Sequence, residues 1–94
     1  MNDPQAELIR VYGKVQGVFY RKSTKIEADK IGLFGWVRNK TDGSVEILAE
    51  GSLRQIEQLK RWCVKGPPQS AVIEIVSDSC PSKFYKSFEI EYSH

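Results

Sequence analysis

The sequence contains a single histidine, His94, which is its last residue. We expect a chain terminus to hold a side chain too loosely for catalysis, which excludes Cys–His and Ser–His–Asp arrangements. The two cysteines, Cys63 and Cys80, lack the further ligands that a metal site needs. Acid–base catalysis by histidine and metal binding by cysteine are therefore both excluded.

Long apolar runs are also missing. No segment approaches the roughly 20 apolar residues that a membrane-spanning helix needs. Residues 1–5 have neither the basic region nor the apolar stretch of a signal peptide. We therefore expect a cytoplasmic protein that does not associate with membranes.

An excess of charge of one sign is missing as well. The chain has 14 basic and 12 acidic residues and a net charge of +2. This balance is too weak to predict a nucleic acid partner, but it is compatible with a small anionic ligand. Because no long apolar surface stripe requires a partner, we expect a monomer.

The composition that remains is that of an ordinary globular protein, 40% hydrophobic and 28% charged over 94 residues. It predicts one domain spanning residues 1–94, with residues 1–5 as a loose leader. Apolar periodicity predicts the elements. The predicted strands cover residues 7–12, 34–39, 44–50, 71–77 and a short last segment at 88–92, and the predicted helices follow residue 19 and Ser52.

The same patterns predict which side chains are buried. Gly32 ends the first helix, and Ser52 with Gln55 forms a capping box at the start of the second. Glu46 and Glu50 of the third strand face away from the core. Phe19 and Ile26 lie outside the predicted apolar stripe of the first helix, which leaves open the alternative that its buried face is wider. The predicted core positions are Tyr20, Thr24, Ala28 and Ile31 in the first helix, Leu53, Ile56, Leu59 or Lys60, and Cys63 in the second, and Val45, Ile47 and Ala49 in the third strand.

The order β-α-β-β-α-β predicts an α+β fold: a ferredoxin-like two-layer sandwich with split βαβ topology. Two helices lie on one face of an antiparallel sheet, which carries a short final strand. In this fold the ends of the first two strands lie at one edge, about 10 Å apart. Cys63 and Cys80 lie at opposite ends of an element about 25 Å long, too far apart for a disulfide, so both thiols are predicted to be free.

A loop with two glycines, Gly13 and Gly17, connects the first strand to the first helix. A tight turn followed by a helix start directs several backbone N–H groups toward one point, where an anion is favoured. Arg21, in the first helical turn, supplies a guanidinium that can hold two phosphate oxygens. The loop lacks the G-K-[ST] ending of a P-loop and the G-x-G-x-x-G spacing, so the glycines could also serve only the turn.

Two motifs carry a resemblance to a known family. The first is Gly13-x-Val15-Gln16-Gly17-Val18-x-Tyr20-Arg21. The second, Gly35-Trp36-Val37-Arg38-Asn39 with Gly43, Val45 and Gly51, follows at the family spacing, and both resemble the signature motifs of the acylphosphatases. The resemblance extends to Gly66-Pro67-Pro68 and covers the chain from Glu7 onward.

The resemblance implies hydrolysis of acyl phosphates to a carboxylate and inorganic phosphate, without a metal, a cofactor or a covalent intermediate. It implies that Arg21 holds the phosphoryl group and that Asn39 positions the attacking water. The implied phosphate-binding loop comprises Val15, Gln16, Gly17, Val18, Phe19 and Tyr20. Ser23 departs from members that carry a bulkier residue there, which leaves rate and substrate preference open.

Alternatives remain for these residues. Arg21 could be an ordinary surface residue of a helix, and Asn39 could simply begin the turn before Gly43. Arg38 is expected on the other sheet face, outside the site. A non-catalytic anion- or RNA-binding module is the alternative function, although the chain lacks the RNP motif of RNA-binding ferredoxin-like sheets.

Overall fold

A computed structural model describes residues 4–92 of the chain. His94, considered above, lies outside these residues. The structure follows the predicted order of elements: β1 (Gln5–Lys14), α1 (Tyr20–Ile31), β2 (Phe34–Asn39), β3 (Val45–Gly51), α2 (Leu53–Lys65), β4 (Ala71–Ser79) and β5 (Phe88–Glu91). β1 begins two residues earlier than predicted, so that Gln5 of the expected leader pairs with Gly51.

The five strands form one sheet in the order β4-β1-β3-β2-β5. β3 lies between β1 and β2 and is antiparallel to both, so the ends of β1 and β2 meet at one edge as predicted. β5 pairs in parallel with β2, which makes the sheet mixed. The segment after β4 carries the chain from one edge of the sheet to the other. The predicted ferredoxin-like α+β fold is confirmed, and the final strand adds the parallel pair.

The core lies between the sheet and the two helices. Tyr20, Thr24 and Ala28 are buried on α1 as predicted, whereas Ile31 is half-buried. The alternative of a wider buried face on α1 is wrong, because the side chains of Phe19 and Ile26 are 73% and 53% exposed. The predicted core positions of β3 and α2 are buried, except that Leu53 is exposed and Lys60 forms ion pairs; the buried ones are Val45, Ile47, Ala49, Ile56, Leu59 and Cys63.

The helix ends follow the sequence signals. Gly32 adopts the left-handed conformation and donates its N–H to the Ala28 carbonyl, which closes α1. At the start of α2, the Ser52 hydroxyl accepts the Gln55 N–H while the Gln55 side chain accepts the Ser52 N–H. These caps fix where each helix meets the sheet.

The two outward-facing glutamates are buried, although their orientation suggested exposure. Glu46 lies on the sheet face opposite the helices, yet cations enclose it and leave it only 3% exposed. Arg38 Nη2 lies 2.7 Å from its carboxylate, Arg10 Nε 3.6 Å and Lys40 Nζ 3.7 Å. Glu46 faces away from the core as predicted, but long side chains cover it on the open face.

Glu50, 1% exposed, holds the segment that follows β4. Its carboxylate accepts hydrogen bonds from the Ser82 hydroxyl and from the backbone N–H groups of Lys83, Phe84 and Tyr85. Burial raises the pKa of Glu50, but these hydrogen bonds outweigh it and hold the pKa below its ordinary value. The carboxylate therefore fastens the segment to the sheet on its way to β5.

Both cysteines are free thiols, as predicted. Cys63 is fully buried, and burial raises its pKa to about 12. Among residues 4–92, no helix is both long and apolar enough to span a bilayer.

Candidate active site

The loop between β1 and α1 begins at a bulge. The pairing of β1 with β4 shifts register between Tyr12 and Gly13, and Gly13 has φ +129°. A Cβ at this position would lie 2.2 Å from the Ala71 carbonyl oxygen, so only glycine fits the close approach. The bulge turns the chain out of the sheet toward the start of α1.

A run of backbone N–H groups follows the bulge. From Gln16 to Lys22 none of these groups has a hydrogen-bond acceptor within residues 4–92, and Ser23 is the first to bond back, to the Phe19 carbonyl at 3.0 Å. Phe19, the N-cap of α1, is left-handed at φ 62° and supplies no side-chain cap. Such a run at the positive end of a helix dipole forms a binding site for an anion. We call this run, residues 16–22, the amide cradle.

The side chain of Gln16 connects the cradle to the β2–β3 turn. Its Nε2 donates to the carbonyl oxygens of Lys40 and Ser44, both at 2.8 Å. These carbonyls lie just beyond Asn39, so the contact fixes the cradle relative to the end of β2. Sequence reasoning placed Gln16 in the loop but missed this contact, because nothing in the spacing pairs it with the turn.

Arg21 and Asn39 line the same cavity, which has a volume of about 340 Å³. Their proximity follows from the parallel arrangement of β1 and β2 across β3. Asn39 Oδ1 is buried and has no hydrogen-bond donor among the described residues. A buried acceptor without a donor is costly, so this oxygen is available to accept a hydrogen bond from a ligand or a water molecule. The lining residues are Val15, Gly17, Phe19, Tyr20, Arg21, Lys22, Asn39, Ile90 and Tyr92.

The charge of Arg21 is not neutralised by a carboxylate among residues 4–92, and no acidic side chain lines the cavity. Its guanidinium carbon lies 4.8 Å from the centroid of the Tyr92 ring, a cation–π contact. Tyr92 and Ile90 are site residues that sequence reasoning missed. They reach the cavity only because β5 pairs with β2, and alternation within one strand does not predict its neighbour.

The other loop residues supply backbone rather than side chains. Val15 and Val18 are buried in the core, and Phe19 points into solvent. The Tyr20 hydroxyl donates to the Cys63 carbonyl at 2.8 Å, and burial raises the pKa of Tyr20 well above its ordinary value. The phenol is therefore a neutral packing group. Arg38 lies on the opposite sheet face, as expected.

The arrangement combines a cationic side chain, a run of N–H donors and one buried acceptor. The first two can stabilise a phosphoryl group, and the third can orient a water molecule beside it. Within residues 4–92 no group of three or more His, Cys, Asp or Glu side chains is placed to hold a metal ion.

The chain is similar to proteins of one family over most of its length. The acylphosphatase family model matches residues 8–90. An acylphosphatase of Marinobacter nauticus is 50% identical over 72 residues, which cover 77% of this chain and 78% of the relative. The solved structure of an acylphosphatase from Coxiella burnetii superimposes with a TM-score of 0.91 at 36% identity, covering 95% of this chain and 94% of that one. The acylphosphatase of Bacillus subtilis gives a TM-score of 0.88 at 40% identity, covering 96% of this chain and 100% of that one.

Proposed function

This chain belongs to the acylphosphatase family and hydrolyses acyl phosphates, and we propose that Arg21, Asn39 and the amide cradle carry out the reaction. In the reaction a water oxygen forms a bond to phosphorus and the bond between phosphorus and the acyl oxygen breaks. The electron pair leaves with the carboxylate. The products are the carboxylate and inorganic phosphate.

In this mechanism the amide cradle and Arg21 bind the phosphoryl oxygens. The N–H groups of residues 16–22 and the guanidinium surround an anion from several sides, and their positions are set before substrate arrives. Donors fixed in this way stabilise the negative charge of the transition state without reorganisation. The contact between Arg21 and Tyr92 supports this role, because it orients the guanidinium without neutralising its charge.

Asn39 is proposed to hold the attacking water. Its buried Oδ1 accepts a hydrogen bond from the water and leaves a lone pair of the water oxygen directed toward phosphorus. We propose that a phosphoryl oxygen of the substrate takes the proton of the water. Because the carboxylate is a good leaving group, no strong protein base is required.

The observation that carries the proposal is that Arg21 and Asn39 line one cavity at the start of the amide cradle. A module that only bound anions would need the cradle and the arginine, but no carboxamide beside them to position a water. The same observation favours catalysis over the anion- or RNA-binding alternative.

Four further features of the proposal stay predictions: hydrolysis without a metal ion, a monomer of one domain, no nucleic acid partner, and a cytoplasmic location. Arg21 and the cradle supply the positive potential that a metal would otherwise provide. The two free thiols are compatible with a reducing compartment.

The test is the hydrolysis of benzoyl phosphate in the presence of EDTA by the wild type, Arg21→Ala, Asn39→Ala and Arg54→Ala. Arg54, an exposed arginine in the first turn of α2, is the matched control. We expect metal-independent turnover that falls about 10²- to 10³-fold in each site variant and is unchanged in the control. Near-normal turnover by a folded Arg21→Ala variant would refute the mechanism.

A further inference from the structure

Phe19 lines a second cavity as well as the candidate active site. This hollow has a volume of about 310 Å³ and is lined by Val18, Phe19, Ser23, Pro67, Pro68 and Gln69. The Phe19 side chain is 73% exposed. The backbone of Phe19, the N-cap of α1, has the left-handed conformation, which constrains the direction of this side chain. A large apolar side chain held open to solvent between two cavities is able to contact a ligand that extends from one into the other.

The hollow continues into a groove between α1 and the end of α2. Ser23, Pro67 and Pro68 line both, and the groove, about 530 Å³ in volume, adds the apolar side chains of Ile26 and Trp62. Ile26 is 53% exposed on the surface of α1. Together the hollow and the groove form a mostly apolar trench that starts at Phe19. We call it the acyl trench.

The wall of the trench at Pro67 and Pro68 is held in place. The Ser70 hydroxyl donates to the Pro67 carbonyl at 2.7 Å, and the Ser70 N–H donates to the same oxygen at 3.0 Å. The Gly66 N–H donates to the Trp62 carbonyl at 2.8 Å. A preformed apolar wall binds an apolar group without the cost of ordering a loop.

The charges in the trench favour an uncharged apolar occupant. None of the six residues that line the hollow carries a charge, and the charged residues of the groove are one acid and one base, Glu27 and Lys65. A second anion therefore has no matching site here. The substrate itself offers one apolar part, the acyl group, which is joined to the phosphoryl group through a single oxygen.

The direction of the reaction favours the same occupant. In a phosphoryl transfer the attacking and leaving oxygens lie roughly in line, so the acyl oxygen departs on the side away from the water at Asn39. Tyr92 and Ile90 line the same cavity as Asn39, whereas Asn39 does not line the hollow beyond Phe19. The hollow is therefore the place for the departing acyl group.

We propose that the acyl trench binds the apolar acyl group of the substrate and makes this chain favour medium-chain or aromatic acyl phosphates over acetyl phosphate. The inference rests on the proposed function. It identifies Phe19, Ile26 and Pro68 as residues that determine substrate preference. Their side chains contact the acyl group and not the reacting atoms.

The test compares kcat/KM for octanoyl phosphate and acetyl phosphate in the wild type, Ile26→Ser, Pro68→Ser and Leu53→Ser. Leu53, 58% exposed at the start of α2, is an exposed apolar control outside the trench. We expect the wild type to prefer octanoyl phosphate. Each trench variant should lower the octanoyl-to-acetyl ratio about fivefold, through the octanoyl arm alone, because less apolar surface is buried.

The outcomes separate the two proposals. Equal kcat/KM for both substrates in the wild type would overturn the proposed role of the trench. An unchanged octanoyl-to-acetyl ratio in both trench variants would overturn it as well. In either case, turnover of acetyl phosphate would still support the proposed function. If the wild type hydrolysed neither substrate, the proposed function would fail and this inference with it.

Discussion

The candidate site depends on single groups that have no protein partner. Asn39 Oδ1 is buried without a donor, and the N–H groups of the cradle have no acceptor within residues 4–92. A phosphoryl group can accept hydrogen bonds from these N–H groups, and a water molecule can donate one to Asn39. The chemistry of the ligand can therefore be inferred from the groups that the protein leaves unsatisfied.

Tyr92 provides a prediction at this scale. We expect Tyr92→Leu to lower kcat/KM for acetyl phosphate about two- to fivefold, because an exposed cation–π contact contributes about 0.5–1 kcal/mol to the orientation of Arg21. Tyr92→Phe keeps the ring and should match the wild type. Steady-state kinetics of both variants check this, and a leucine variant as active as the phenylalanine variant would contradict it.

The sequence predicted some of these residues and missed others. Arg21 and Asn39 were identified because two motifs and the strand order place them at one edge of the sheet. The contact of Gln16 with the turn and the position of Tyr92 depend on side-chain directions across strands that are distant in sequence. The burial of Glu46 and Glu50 was missed for a similar reason, since alternation gives the face of a side chain but not what covers it.

Among the elements, the loop after β1 and the β2–β3 turn each hold a glycine at positive φ. Gly17 has φ +76° and Gly43, in the β2–β3 turn, has φ +92°, and a Cβ at either position would contact nothing within 4 Å. Replacement by alanine should therefore cost only the strain of a positive φ, about 1–2 kcal/mol at each site.

Gly17→Ala and Gly43→Ala consequently form a matched pair. We expect similar losses in the free energy of unfolding, measured in urea, but a loss of activity at least tenfold greater for Gly17→Ala, because only this change displaces donors of the cradle. Equal activity in the two variants would show that the cradle tolerates displacement.

The segment that joins β4 to β5 depends on the carboxylate of Glu50. Its lowered pKa means that the folded state binds a proton less readily than the unfolded chain. Its contribution to stability is therefore present above the ordinary glutamate pKa of about 4.3, and is lost as the pH falls through the lower pKa of the folded state.

We expect Glu50→Gln to reduce the free energy of unfolding by about 2 kcal/mol at pH 7, since the new amide group opposes backbone donors. The reduction should become smaller below pH 4. Urea unfolding at both pH values, with the exposed Glu74→Gln on β4 as control, measures it. A destabilisation that was the same at both pH values would contradict the role of the ionised carboxylate.

Most elements could be predicted from local signals in the sequence. Some of their ends could not, because those ends depend on pairing between strands. The capping box of Ser52 and Gln55 and the left-handed Gly32 are local features, so the ends of α1 and α2 follow from the sequence. β1 extends beyond its predicted start by pairing with β3, and β1 and β4 extend beyond their predicted ends by pairing with each other, all through contacts between distant residues.

At the scale of the whole molecule, strand order positions the site. β3 separates β1 from β2, so the cradle and Asn39 approach each other from parallel strands. The hydrophobic pattern predicted this order through the fold class. It did not predict that β5 would pair in parallel at the far edge, because a four-residue strand carries too little pattern to fix its partner or direction.

The fold also determines the reactivity of the thiols. Burial raises the pKa of Cys63 to about 12, and burial together with the nearby Glu50 and Glu7 raises the pKa of Cys80. At pH 8 we expect a thiol-specific reagent to modify one thiol slowly in the native protein and two in denaturant, without prior reduction. Cys80→Ser should remove the native reaction, and rapid modification of both thiols in native protein would contradict the packing.

The molecule contains two runs of backbone amides built on the same plan. Each includes a phenylalanine held in the left-handed conformation, Phe19 in one and Phe84 in the other. The run at Phe84 surrounds the carboxylate of Glu50, which the chain itself supplies, and an anion attached to the backbone cannot diffuse away. The run at Phe19 has no such tethered anion among the described residues, so any occupant must come from solution and return to it. A run of backbone amides can thus act as a permanent fastening or as a site of exchange, and the covalent attachment of the anion decides between them.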